Sequence, residues 1–205
     1  MNKAMETNKE ILVATTNSAK LVEIRRMLSA GGFSVLSLRD IDIHAQVDED
    51  GGTFEANAIK KAVEIARMTG RTVLADDSGL CVDYLGGAPG VDSAFFMGEG
   101  TAYAVRNAKI IELLTCAEGA ERAARFVCVM ALARPDGDVI SIRGEVEGQI
   151  AKAPAGDDGF GYDPIFFIPQ FGKTMAQLSV DEKNKISHRG HALMKMVEAI
   201  LASKS

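Results

Sequence analysis

Two short polar stretches, each placed directly after an apolar run, carry the residues best suited to chemistry. In ILVATTNSAK, from Ile11 to Lys20, a β-branched run gives way to small hydroxyl and amide side chains and then to a lysine. In TVLADDSG, from Thr72 to Gly79, a second apolar run leads into two aspartates, a serine and a glycine. A helix that begins at TTNSAK leaves backbone N–H groups unpaired and presents the positive end of its dipole, and both suit a phosphate. Thr15, Asn17 and Ser18 add donors, and Lys20 adds a point charge in the first turn. The stretch lacks the glycines of the Walker sequence. Plain N-capping by Asn17 or Ser18, with Lys20 solvated, is the alternative.

Asp76 and Asp77 follow a short buried strand. Ligand sites of open α/β sheets lie beyond the carboxyl ends of strands, so carboxylates there can hold Mg2+ or take a proton from an attacking water. An acidic turn is the plainer reading. Glu49, in QVDEDGG, is a second acid for such a cation, with Asp48 as its substitute. GFGYDP, Gly159 to Pro164, joins a glycine turn to two aromatics and an acid. A ring in a cleft can stack on a nucleobase for about 1–3 kcal/mol, although Phe160 and Tyr162 also suit a core. In DEKNKISHRGHAL, Lys183 precedes Ser187, His188 and Arg189 at a helix start, where Arg189 offers a planar fork and His188 can donate or accept. His44 reads as a loop residue and His191 as structural or exposed. No cysteine–histidine cluster suggests zinc.

The elements that must position these residues follow from pattern. Ile11–Ala14 is a buried strand, and Leu21, Ile24, Met27 and Leu28 mark a helix stopped at Gly31-Gly32. FSVLSL is a second strand and DIDIHAQVDEDGG an acidic loop. Thr53 caps a helix running to Thr69 with Gly70 as its stop, and TVLA is a third strand. GLCVDYLGGAPGVDSAFF reads as loop, and helical spacing returns from Thr101 to Cys116. RFVCVMALARPDGDVISIRGEVEGQI gives two strands around a Pro-Asp-Gly turn. Ser179 with Glu182 fits a capping box. Ser187 caps a last helix whose face carries Leu193, Met196, Val197, Ile200 and Leu201. Helices alternating with strands, then a hairpin, predict an α/β protein with a mixed sheet.

The chain has 205 residues, 47 % of them hydrophobic, which suits one globular domain or two small lobes sharing a core. No apolar run approaches the roughly 20 residues that span a bilayer. The N-terminus, MNKAMETNKE, is polar and shows no secretory signal. Three widely spaced cysteines suggest neither zinc nor a disulfide framework, and a cytoplasmic setting is expected. A net charge of −5 argues against a nucleic-acid binder but not against a small phosphorylated ligand held by local cations.

ATTNSAK, TFEANA, ADDSGLCVDYLGGAPGVDSA, FGYDPIF and EKNKISHRGHAL occur in that order. Together they resemble the inosine triphosphate pyrophosphatase family from about Ile11 to Leu201, with Thr16 where many relatives have glycine. The resemblance implies an elongated mixed sheet flanked by helices, with two lobes around a central nucleotide-binding cleft. It divides the chain into a disordered extension over residues 1–10 and a single domain over 11–205. It also implies a homodimer, a need for Mg2+, and hydrolysis of ITP, dITP and XTP to the monophosphate and pyrophosphate. Carried onto this sequence, Thr15, Asn17, Lys20, Lys61, Ser78 and Lys183 meet the triphosphate. Glu49 and Asp77 hold magnesium, with Asp77 also the base. Phe160, Gly161, Tyr162 and Asp163 form the base pocket, and His188 and Arg189 read the base edge. A sensor that binds purine nucleotides in the same cleft without hydrolysis is the alternative.

Overall fold

The computed structural model describes residues 9–45 and 47–202. The extension expected over residues 1–10 lies outside the described residues as far as residue 8, and Glu10 already belongs to the first strand. β1 (Glu10–Ala14) leads through the TTN turn into α1 (Ser18–Ala30), which returns to β2 (Ser34–Ser37). α2 (Phe54–Thr69), capped by Thr53 and closed by Gly70 at φ 63°, leads into β3 (Val73–Val82). After α3 (Tyr103–Leu113) come the long strands β4 (Ala123–Ala133) and β5 (Val139–Ile150), then the short β6 (Phe166–Ile168) and β7 (Lys173–Thr174). The chain closes with α4 (Val180–Ile186) and α5 (His188–Ala202).

The seven strands form one open mixed sheet in the order β2-β1-β3-β4-β5-β6-β7. β1 is parallel to both β2 and β3, and every later pairing is antiparallel. β1 connects to β2 on one side, and β3 then lies on the other. The carboxyl end of β1 is therefore a topological switch point, the place where such sheets open a crevice.

β3 is where the structure departs most from the expected elements. TVLA was expected to stop at Ala75 and to hand over to an acidic turn and a glycine-rich loop. The strand instead runs ten residues, through Asp76-Asp77-Ser78-Gly79 to Val82. Its partner explains this: β4 pairs with it residue for residue from Val73↔Ala133 to Val82↔Ala124, and that ladder outweighs the weak strand propensity of Asp and Gly. β1, however, ends at the pair Ala14↔Ala75. Asp76 is thus the first residue of β3 to lose its β1 neighbour, and the two acids open onto the crevice from within a strand. Strand alternation turns Asp76 and Ser78 to one face of the sheet and Asp77 and Gly79 to the other.

α2 packs one face of the sheet through Ala58, Ala62, Ile65 and Ala66. α1 and α5 cover the other with Ile24, Leu28, Ala192, Leu193, Met196 and Ile200. Leu201, expected on that apolar face, is 46 % exposed. A third cluster joins Ile110 and Leu114 to Phe126, Tyr162, Ile165 and Phe166. α3 is shorter than expected, Tyr103–Leu113 rather than Thr101–Cys116.

Helix α5 crosses β5 in close contact at Gly144. A Cβ there would lie 2.2 Å from the His188 carbonyl oxygen and 2.5 Å from Ala192 N, both backbone atoms. Gly144→Ala must push the helix that starts with His188 and Arg189 off the sheet. Overpacking of this kind destabilises by about 1–3 kcal/mol, and each kcal/mol lowers Tm by roughly 2–4 °C in a chain of this size. Thermal unfolding of the variant is expected to show that drop.

Candidate active site

The crevice at the end of β1 is a cavity of about 670 Å³, large enough for a nucleotide. One end is built from the TTN turn. Asn17 is the N-cap of α1, and its side-chain oxygen accepts from Ala19 N and Lys20 N at 3.0 and 3.1 Å. Capping and cleft lining thus coincide, because the helix uses the amide oxygen and leaves the NH2 group. Lys20 is not a solvated surface charge: its Nζ pairs with Asp76 Oδ2 at 2.9 Å. Lys61, on α2, pairs with Glu49 and donates to the Asp76 carbonyl oxygen at 3.1 Å.

Asp76 and Asp77 are adjacent and buried, yet their acidities are driven apart. Burial pushes the Asp76 carboxyl up, but Lys20, Arg189 and Lys61 together overcome it and hold the group well below the usual carboxylate range. Asp77 has weaker compensation. Burial pushes it up to about 6, with the Glu49 charge adding to the rise and the Asn57 hydrogen bond, Lys20 and Lys61 opposing it. Its carboxylate accepts from Asn57 Nδ2 at 2.9 Å and from Ser78 N at 2.8 Å. Two neighbouring acids with opposed shifts can hold different roles: Asp76 is a permanent anion, while Asp77 is poised to exchange a proton or to accept a cation. Asp77 is 4 % exposed and is not itself on the cavity wall, which Glu49, Lys61, Ser78 and Gly79 form around it.

A magnesium ion commonly takes one or two carboxylates and completes its shell with water and substrate phosphates. Glu49 and Asp77 suit that arrangement, since each is a carboxylate within the other's field and Asp77 is a buried anion short of positive charge. Asp76 Oδ1, one residue along the strand, is buried without a hydrogen-bond partner. Among the described residues no three His, Cys, Asp or Glu side chains converge as a self-sufficient metal site, so a cation here would depend on the ligand's phosphates. Of the two candidate acids in the loop, Glu49 meets Lys61 and acts on Asp77, whereas Asp48 acts on Lys60.

The other end is aromatic. Asp163 Oδ2 accepts from Phe160 N at 2.8 Å and from Lys183 Nζ at 2.6 Å, which fixes the turn that presents the Phe160 ring. Gly159 is required in that turn, because its φ is 77° and a Cβ would fall 2.2 Å from Asp163 Oδ2. Lys183, expected at the phosphates, is pinned instead between Asp163 and Glu23, with its Nζ 4.5 Å from the centre of the Phe160 ring. His188 stacks on Phe126 at 4.8 Å. Burial, reinforced by Arg189, Lys183 and Lys20, pushes its pKa well down, so it is a neutral ring with an unpartnered Nδ1. Arg189 donates to Glu23 Oε2 at 2.6 Å and to Ser78 Oγ at 3.0 Å, and lies 3.5 Å from Asp76 Oδ2. Its Nε is buried with no partner.

The cation-bearing residues of both ends are thereby joined in one alternating series, Lys20–Asp76–Arg189–Glu23–Lys183–Asp163. Thr15, Asn17, Lys20, Glu49, Lys61, Ser78, Phe160, Gly161, Tyr162, Asp163, Lys183, His188 and Arg189 all line the same cavity. Sequence reasoning missed Asn57, which holds Asp77, and Glu23, which joins Lys183 to Arg189. Glu23 did leave a signal: with Lys20, Ile24 and Met27 it falls on the inward face of α1, an odd place for a carboxylate unless it is paired.

The chain is similar to known proteins over nearly its whole length. The chain is 48 % identical over 191 residues to a dITP/XTP pyrophosphatase of Exiguobacterium sibiricum, covering 93 % of this chain and 96 % of that one. It is 46 % identical over 188 residues to a dITP/XTP pyrophosphatase of Bacillus licheniformis, covering 92 % and 96 %. The solved structure of a HAM1 protein from Coxiella burnetii superposes with a TM-score of 0.85 at 39 % identity, covering 94 % of this chain and 98 % of that one. A sequence profile of the Ham1 family matches residues 11–199, so nearly the whole chain, with both ends of the cavity, belongs to the Ham1 family.

Proposed function

We propose that this protein hydrolyses deaminated purine nucleoside triphosphates, dITP, ITP and XTP, to the monophosphate and pyrophosphate. The observation that carries the reading is the split pair Asp76 and Asp77, where β3 runs past the end of β1, with Lys20 and Lys61 beside it and an aromatic pocket at the far end of the adjoining cavity. The names of relatives at 46–48 % identity support it.

In this reading the triphosphate lies toward Thr15, Asn17, Lys20, Lys61 and Ser78, and the base lies on Phe160. Water adds to the α-phosphorus, and the bond from that phosphorus to the oxygen bridging to the β-phosphorus breaks. Asp77 orients the water and takes its proton, a role open to a carboxylate held in place by Asn57 and Ser78. Lys20 and Lys61 stabilise the charge that grows on departing pyrophosphate. Glu49 and Asp77 would hold Mg2+, which supplies further neutralisation of the phosphates. At the base, the 6-oxo group of hypoxanthine or xanthine is an acceptor and satisfies a donor of the Arg189 kind. The 6-amino group of adenine leaves that donor opposed, and a buried unsatisfied donor costs about 1–3 kcal/mol. The same reading makes the protein a cytoplasmic homodimer that needs neither nucleic acid nor membrane. Unpaired Cys81, Cys116 and Cys128 suit a reducing compartment, and among the described residues no helix is long and apolar enough to cross a membrane.

Incubation with dITP, ITP, XTP, GTP and ATP, with pyrophosphate and orthophosphate assayed separately, tests the proposal. Pyrophosphate is expected from the deaminated purines, with little turnover of ATP and none in excess EDTA. Orthophosphate as the primary product would reject the reaction, and activity that survives EDTA would reject the metal. Tight binding of ITP with no product would favour the sensor.

A further inference from the structure

The base slot has two walls that share no regular hydrogen-bond ladder. One is the loop containing Ser93, Ala94 and Phe95, and the other is the turn of Phe160, Gly161 and Tyr162. Loop backbone of this kind needs side chains to fix its carbonyl groups. Two adjacent residues of α3 provide them. Arg106 is buried and spreads its guanidinium over three carbonyls of the first wall, donating to Ser93 O at 3.2 Å, Ala94 O at 2.6 Å and Gly98 O at 3.1 Å. Asn107 is also buried and donates from Nδ2 to Gly161 O of the second wall at 3.1 Å. The walls then touch each other, because Tyr162 donates its hydroxyl to Ser93 O at 2.8 Å and meets Tyr103 edge-on at 5.2 Å. Arg106 lies 4.9 Å over the Tyr103 ring. α3 is itself anchored by Ile110, which is fully buried.

Resting on the reading of the cavity as a purine triphosphate site, we propose that Arg106 and Asn107 are positioning residues that set the width of the base slot. Neither lines the cavity, and the donors of each are spent on carbonyls of a wall rather than on the substrate. Each acts through the wall it holds: a planar fork locks three carbonyls of one loop, and the next residue along the helix locks the opposite turn. The distance between walls is therefore fixed by one rigid helix turn. Each side chain retains a buried atom without a partner, Arg106 Nε and Asn107 Oδ1, as fits a group kept for the bonds its other atoms make. Loosening either wall weakens the grip on the base equally in ground and transition states, which raises KM and leaves kcat unchanged.

Arg106→Met keeps the aliphatic stem and Asn107→Leu keeps the size, and both remove the donors. Each is expected to raise KM for ITP roughly tenfold with kcat within about twofold, and to weaken calorimetric binding of IMP by a similar factor. Binding of inorganic tripolyphosphate, which engages only the far end, is expected to stay unchanged. Thermal unfolding of each variant establishes that the protein assayed is folded; if either fails to fold, Arg106→Lys and Asn107→Ser, which keep part of the donor set, take its place with the same readouts. Equal weakening of IMP and tripolyphosphate would reduce the two residues to general scaffolding and overturn the proposal. A fall in kcat at constant KM, or unaltered IMP binding by a folded variant, would overturn it as well. If the wild type turns over no nucleotide, the proposed reaction fails by itself. The IMP and tripolyphosphate titrations still decide the slot.

Discussion

Asp77→Asn is expected to lose roughly 10²–10⁴ in kcat for dITP, the range contributed by a positioned general base, while the folded protein becomes no less stable without metal. The two effects have one origin. Asp77 is buried beside Glu49 and is pushed up to about 6 from an ordinary 3.8. Its folded pKa is raised, so the folded state holds this proton more tightly than the unfolded chain does. Stability contributed by the protonated form is complete below about pH 4, declines as pH rises from there to about 6, and is absent above. At about 1.36 kcal/mol per unit, carrying the bare anion at pH 8 costs at most about 3 kcal/mol. The amide has no charge to desolvate, and this gain offsets the loss of one of the two bonds from Asn57 Nδ2 and Ser78 N, since Asn57 Oδ1 is already taken by Gly51 N. In EDTA at pH 8, Tm of Asp77→Asn is therefore expected to equal or exceed that of the wild type by a few degrees, and the gap is expected to close toward pH 4. Near-normal turnover would remove Asp77 from the base role. A variant that falls further below the wild type at pH 8 than at pH 4 would contradict the assigned acidity.

How much of this was visible in the chain depends on the range of the interaction concerned. The α1 entry was legible because capping is local: Asn17 bonds two N–H groups within three residues of itself. The Ser179–Glu182 box and the Thr53 and Gly70 ends of α2 were legible for the same reason. The Pro-Asp-Gly turn likewise announced the β4–β5 hairpin. The extension of β3 through Asp76-Asp77-Ser78-Gly79 was not, because it is imposed by β4, some fifty residues later, against local propensity. That difference alters the chemistry. Consecutive acids in a turn could face one ligand together, whereas consecutive acids in a strand face opposite sides, which is why Asp76 meets Lys20 and Arg189 while Asp77 meets Asn57. Most residues of the family motifs singled out for the site line one cavity, with Asp77 buried behind its wall. The motifs did not show Lys183 at the Phe160 end, because its place is set by Glu23 on α1, a residue no local pattern ties to it.

Arg189→Met is expected to destabilise the protein by about 3–5 kcal/mol at pH 7, the usual consequence of stripping one partner from a buried ion pair. Arg189 is the middle cation of the buried series and the only one that touches the carboxylates of both Asp76 and Glu23. Without it, Asp76 keeps Lys20 and Glu23 keeps Lys183, so neither acid is abandoned, but each is undercompensated in a region closed to water. The pH dependence separates this account from simple loss of packing. Burial raises Glu23, and Arg189 and Lys183 bring it below its ordinary value; Asp76 is likewise held below its own. Groups with depressed folded pKa values contribute stability above their unfolded pKa and lose it as pH falls through the folded one. Part of that contribution disappears in the variant, and at low pH it is lost from both proteins. Urea unfolding is therefore expected to show a gap between wild type and variant that is widest at neutral pH and narrows below about pH 4. Loss of packing alone would give a gap that pH does not change. Combining Arg189→Met with Glu23→Gln is expected to destabilise less than the sum of the two, since the second change removes an anion that the first left undercompensated. Strict additivity would mean that Glu23 and Arg189 are neighbours without being coupled. The series from Lys20 to Asp163 would then be two separate pairings at the two ends of the cavity, rather than one electrostatic unit that ties the phosphate end to the base end.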